Sequence, residues 1–313
     1  MMKTIGVEMN NVTAALSLEG DNDSRMQVLD LCLAPGGYSA AVLDLNPTAS
    51  IDAVSLPHQD GGHRVLIPFG RRDPRVQILF TDITMLATEY GVDMDNIPTE
   101  HPDAAKFKPL RPYEGKQYDL VLCDGQVLRT QKREAYREVC EPTRLTNAQL
   151  ILGLQRIKPG GTLIILLHRL ETWHVVMLIR SFNMFAKIKL FKPVKAHAIM
   201  SSFYMIATNI QPQNVNAKLA LERYRKLWHR ATFDGDVGLS SIEITKDIAA
   251  LLEEFGPRLV ELGREIWRVQ ADALEKVPFM QNGMSRGESD IVGDAGRQNP
   301  PTSPVHGASS LPI

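Results

Sequence analysis

Short apolar runs alternate with amphipathic stretches along the first two thirds of the chain. Residues 26–31 (MQVLDL) form an apolar run that stops at a glycine-containing turn, and 40–45 then continue with helical spacing. Runs at 51–56, 76–80 (VQILF) and 118–123 (YDLVLC) predict three more strands, with Asp82 just past the third and Asp124 just past the fourth. Leu145, Ala148, Leu150, Ile151, Leu154 and Ile157 predict a helix over 144–157, stopped at Lys158-Pro159-Gly160-Gly161. Residues 162–167 (TLIILL) read as a buried central strand and 172–185 as an amphipathic helix. Strands at 187–191 and 202–208 lie close enough to form an antiparallel hairpin at a sheet edge. Strand and helix in alternation predict an α/β fold: a mostly parallel sheet with helices on both faces.

After Asn209 the pattern becomes helical only. A basic helix is expected at 218–231. In 248–273, Ile248, Leu252, Phe255, Leu259, Leu262, Ile266, Val269 and Ala273 alternate spacings of four and three, the seam of a coiled-coil-like face. Pro257 falls inside that seam and predicts a kink or two shorter helices. The organisation expected is an α/β domain at 1–210, a helical appendage at 211–280 that packs on the domain or on a protein partner, and a disordered tail at 281–313. The tail is rich in Gly, Ser, Pro, Asn and Asp and has too little apolar surface to order itself. Residues 93–115, rich in Pro, His and Asp, are long for a structureless connection and read as an insertion.

Composition narrows the function. The 313 residues carry a formal net charge of −1, so no global field holds a polyanion, and any nucleic-acid contact is local. Cys32, Cys123 and Cys140 have neither metal-ligand spacing nor an even count, which argues for a reducing compartment and against a zinc site. No run approaches the ~18 to 20 apolar residues of a membrane helix, and MMKTIGVEMN has no secretory pattern. A cytoplasmic or nuclear protein is expected, with no membrane contact.

The candidate chemistry lies at strand ends. A strand ending in Asp30, a turn with Gly36 and Gly37 and then a helix bring backbone N–H groups close to a ligand. Asp30, Asp82 and Asp124 fall at the carboxyl ends of strands, where open parallel sheets bind their ligands. The glycine pair differs from the dinucleotide pattern, and Ser55 stands where that pattern wants an acid, so a dehydrogenase ranks behind the other readings.

The wording of these segments is more specific. DLCLAPGGYSAAVL resembles the first motif of the FtsJ-like ribose 2′-O-methyltransferases, close to DLGAAPGGWS, and YDLVLCDG, KPGGTLIILL and FKPVKAHAIMSSFYMIA resemble later motifs in the same order. The resemblance covers roughly 26–208 and implies a Rossmann-like methyltransferase fold with S-adenosylmethionine as cofactor. It implies that Ala34, Pro35, Gly36 and Gly37 wrap the methionine end, with Asp30 and Tyr38 beside them. Asp82 would reach the adenine, and Asp124 would stand at the catalytic centre. RNA is the implied acceptor, with Lys192, Lys195 and His197 forming a local basic segment.

There are departures from the family pattern. Cys32 replaces a glycine, which predicts a looser first turn. Ser55 replaces the acid that holds the ribose, with Asp52 its nearest substitute. Of the family's Lys, Asp, Lys and Glu, the chain keeps Asp124 but has Leu166 and Ser202 at the last two positions, and Lys3 reaches the first only after realignment. His168, Arg169 and Glu171 follow the sixth-motif strand, and His168 has the ordinary pKa range of a general base. Three readings follow: an active methyltransferase on RNA, a catalytically silent relative that serves as an RNA-binding or scaffold protein, and a methyltransferase with another acceptor.

Overall fold

The structure, a computed structural model, describes residues 1–17, 25–67, 73–234 and 248–277. The expected tail lies outside the described residues. Two units are distinguished, Met1–Ala271 and Asp272–Ile313. Of the second, only 272–277 are described, the close of a helix and the turn after it.

Seven strands form one sheet: β1 (Gln27–Leu31), β2 (Ser50–Ser55), β3 (Val76–Phe80), β4 (Tyr118–Cys123), β5 (Ile157–His168), β6 (Lys187–Phe191) and β7 (Ser202–Thr208). Their order is β3-β2-β1-β4-β5-β7-β6. The first five run parallel, whereas β7 lies antiparallel between β5 and β6 and makes the expected edge hairpin. Among the described residues six helices accompany the sheet: α1 (Met2–Thr13), α2 (Gly37–Leu45), α3 (Arg137–Arg156), α4 (Trp173–Asn183), α5 (Val215–Phe233) and α6 (Ile248–Leu274).

The sheet is buried on both faces because its side chains alternate between two apolar clusters. Leu29, Leu31, Val121, Cys123, Leu163, Ile165, Phe203 and Met205 join α3, α4, α5 and α6 on one side. Val28, Leu120, Leu122, Ile164, Tyr204 and Ile206 join α1 and α2 on the other. Trp228 of α5 is fully buried in the first cluster, so α5 packs into the same core as the sheet.

Three expectations change. Helix α3 begins at Arg137, not at 144, with Pro142 inside it. The proline removes only the N–H that would bond to Glu138, whose exposed position lets water satisfy the freed carbonyl. The same reasoning holds for Pro257, which is exposed within the single 27-residue helix α6 and does not divide it. The glycine turn before 162 belongs to β5, with Gly160 at φ 83° and its N–H donating to Ile210 O at 2.8 Å.

The insertion at 93–115 is a buttress. His101 Nε2 pairs with Thr232 O at 2.9 Å, and the rings of His101 and Phe107 each meet Phe233 of α5. Asp103 is fully buried and accepts from Tyr136 OH at 2.8 Å, while Tyr113 OH donates to Ala53 O of β2 at 2.7 Å.

Candidate functional site

The turn after β1 builds the floor of a cleft. Cys32 adopts φ 78°, the left-handed region in which glycine costs nothing, and its N–H still donates to Val54 O at 2.9 Å. The turn is therefore as tight as a glycine would make it, at a strain of order 1 kcal/mol. Gly36 caps α2 at φ 100°, and a Cβ there would meet Ile67 at 2.4 Å. A Cβ on Gly37 would lie 2.5 Å from Met2 Cβ and 2.8 Å from Lys3 N, so α1 closes directly on the loop.

Asp30, Ala34, Pro35, Gly36, Gly37, Tyr38, Asp82 and Asp124 all line this one cleft of about 300 Å³. Its two acidic walls differ. On the β1 and β4 side, Ser39 Oγ donates to Asp30 Oδ2 at 2.5 Å, and Asp124 Oδ1 is buried with no partner among the described residues. Burial pushes the Asp30 carboxyl up to about 7. Burial, then the nearby Asp30 charge, push Asp124 well above the usual carboxylate range. Burial followed by the charges of Asp30, Asp82 and Asp124 also raises the Cys32 thiol, which stays protonated.

On the β3 and α3 side, every acid is paired. Asp82 Oδ1 accepts from Thr84 N at 2.9 Å and Thr84 Oγ1 at 2.8 Å. Asp82 Oδ2 accepts from Arg137 Nη2 at 2.8 Å and Gln131 Nε2 at 3.0 Å, which fills all four lone-pair sites. Arg137 also binds Glu141 through Nε at 2.8 Å, and Glu141 in turn accepts from Arg144 Nη1 at 2.9 Å. Asp82 lies below the usual carboxylate range: its burial raises the pKa, but the Arg137 charge and the hydrogen bonds outweigh that.

Several sequence expectations are relocated. Ser55 lines the cleft, whereas Asp52 is buried elsewhere, accepting from Lys116 Nζ at 2.8 Å and Tyr118 OH at 2.7 Å, and so is no ribose ligand. Lys3 pairs with Asp44 at 2.5 Å and does not line the cleft. Lys192 is not part of an exposed basic segment: it is buried, and its Nζ donates to the carbonyls of Met200 at 2.5 Å and Ser202 at 2.8 Å. Lys195 and His197 are exposed. Among the described residues no lysine or arginine side chain lines the cleft. Sequence reasoning missed Arg137, Glu141, Gln131 and Gln126, because charged and amide residues on a helix face or loop ordinarily signal solvent.

A parallel sheet with a glycine turn after β1, acids at successive strand ends and an antiparallel β7 is the architecture of a Rossmann-like methyltransferase. The chain belongs to the FtsJ-like methyltransferase family, whose model matches residues 9–210. It is an S-adenosylmethionine-dependent methyltransferase. No curated protein matches it in sequence. Similar solved structures include an O-methyltransferase family protein from Burkholderia thailandensis, at 12% identity and a TM-score of 0.36, covering 67% of this chain and 58% of that one. An rRNA methylase from Streptococcus thermophilus matches at 13% identity and a TM-score of 0.37, covering 60% of this chain and 89% of that one. Human methyltransferase-like protein 13, in complex with SAH, matches at 12% identity and a TM-score of 0.38, covering 81% of this chain and 96% of that one.

The residues present fit this cofactor. Its sulfonium and amino groups are cationic, and the cleft offers Asp30 and Asp124 with no lysine or arginine side chain among the described residues to neutralise them there.

Proposed function

We propose that the chain transfers a methyl group to RNA, with Asp30, Ala34, Pro35, Gly36, Gly37, Tyr38 and Asp82 binding the donor and Asp124 at the transfer centre. The observation that carries this reading is the buried Asp124 Oδ1 at the glycine-turn cleft, which has no partner among the described residues. A carboxyl that is desolvated without a partner costs stability unless a ligand supplies one, and a cationic methyl donor does so. Arg169, Lys195 and His197 are exposed beyond β5 and before β7, and exposed cations of this kind favour a polyanion.

Asp82 enters this reading with a condition. Its oxygens are saturated, so an adenine amine reaches it only by taking the place of the Gln131 amide, which sits on a loop between β4 and α3. Ribose 2′-O selectivity is the finer expectation, drawn from family membership.

A donor-binding scaffold without transfer is the second reading, favoured by Leu166 and Ser202 at the family's Lys and Glu positions. Calorimetry with S-adenosylmethionine and its demethylated product, joined to transfer of labelled methyl groups to total RNA by wild type and Asp124→Ala, separates the two. Binding with transfer that requires Asp124 is the expected result. Absence of binding at high micromolar donor overturns the proposal, and binding without transfer establishes the scaffold.

A further inference from the structure

We propose that His168 takes the proton from the methyl acceptor, replacing the ammonium that the family pattern carries at the position of Leu166. This rests on the reading of the chain as an active methyltransferase.

The sheet's geometry carries the inference. Side chains two residues apart on a strand share a face, so His168 projects on the same side of β5 as Leu166, one pleat nearer its carboxyl end. That face also carries Ile164, Tyr204 and Ile206, on the side of the sheet covered by α1 and α2. In the register of β5 with β7, Leu166 lies opposite Tyr204 and His168 lies opposite Ser202. The two positions where the family pattern has lysine and glutamate thus flank or face His168.

The ring is tied to the cleft. His168 Nε2 pairs with Gln126 Oε1 at 2.9 Å, and Gln126 lines the cleft two residues after Asp124. With Nε2 donating to that amide oxygen, Nδ1 is left as the accepting nitrogen. Burial, followed by the charges of His197, Lys192 and Arg169, holds His168 below its ordinary value, so the ring is neutral at physiological pH and free to accept a proton. Two lysines are committed elsewhere: Lys3 to Asp44, and Lys192 to the carbonyls of Met200 and Ser202.

The step balances. As the acceptor hydroxyl's oxygen bonds to the methyl carbon, its proton passes to the imidazole. The carbon–sulfur bond breaks with its electron pair on sulfur, leaving a neutral thioether. Histidinium then returns the proton to water.

The test compares wild type, His168→Gln and His168→Lys for donor binding by calorimetry and for labelled methyl transfer to total RNA between about pH 5 and 9. His168→Gln is expected to bind the donor within about twofold and to lose about 100-fold in transfer. His168→Lys is expected to transfer with its acid limb moved to higher pH, because an amine titrates above an imidazole. His168→Gln transferring at the wild-type rate with an unchanged pH profile overturns the proposal, and so does a His168→Gln variant that loses donor binding. A wild type that binds donor yet transfers nothing overturns the proposed function instead, and the base with it.

Discussion

The two acidic walls of one cleft show the same residue type put to opposite uses. Asp82 and Glu141 sit among Arg137, Arg144, Thr84 and Gln131, and Asp82 is held below the usual carboxylate range. Asp30 and Asp124 face one hydroxyl donor between them and are pushed up. Paired charges build the wall, and unpaired carboxyls are kept for a ligand. A buried ion pair adds little over an apolar pair, but breaking one strands a charge. Isolated acids cost stability until something cationic arrives.

The sharpest way to break the comparison is Arg137→Met. It removes the cationic partner of Asp82 and two of the three hydrogen bonds of Glu141 in a buried site, and the expected loss is about 3 to 5 kcal/mol. Thermal unfolding would register this as a fall in Tm of about 10 °C. A change within about 2 °C would show that the wall stands without the arginine.

Asp30→Asn tests the opposite wall. Because burial raises the folded-state pKa of Asp30 to about 7 from an ordinary value of 3.8, the protonated form is the one that folding favours. Its contribution is fully present below about pH 4 and is lost as pH rises to about 7. The wild type therefore loses stability across that window, and the asparagine variant has a flatter profile. At pH 8 the variant is expected to be more stable by about 2 to 4 kcal/mol. Urea titrations at several pH values check this, and parallel slopes for both proteins would refute the raised pKa of Asp30.

The smallest effect is a proton count. A sulfonium beside Asp30 and Asp124 lowers both pKa values, so binding the methyl donor at pH 7 releases protons, roughly half of one from Asp30 and a further share from Asp124. The uncharged thioether product releases less. Binding heats measured in buffers of different ionisation enthalpy report this number, and equal release for both ligands would remove the role given to charge.

Much of the frame was legible in the residues. The bounds expected for β3, β4, β6 and β7 match because each is an unbroken apolar or alternating run between turn residues. The turn of Gly36 and Gly37 and the acids at strand ends were equally visible, and the eight residues named from them line one cleft. What stayed hidden was of two kinds. Helix α1 carries no side-chain cap to announce it and shows only Ile5 and Met9 as buried side chains. Arg137, Glu141 and Arg144 occupy one helix face at spacings that read as a solvated salt-bridge ladder, yet they are buried, because the partners that stabilise them come from β3 and the insertion, distant in sequence. Tertiary pairing of charge has no local periodicity to betray it.

The buttress at 93–115 ties the histories of two distant segments together. His101 meets Phe233 edge-on and Phe107 meets it at a tilt, while His101 caps a carbonyl at the end of α5. Because Phe107 and Phe233 each also touch Trp228, a change in ring size at any one of them opens or crowds a space shared by all. Relatives that lack the insertion must therefore fill the end of α5 differently, so drift in the helix and drift in the loop are expected to be inherited as a pair.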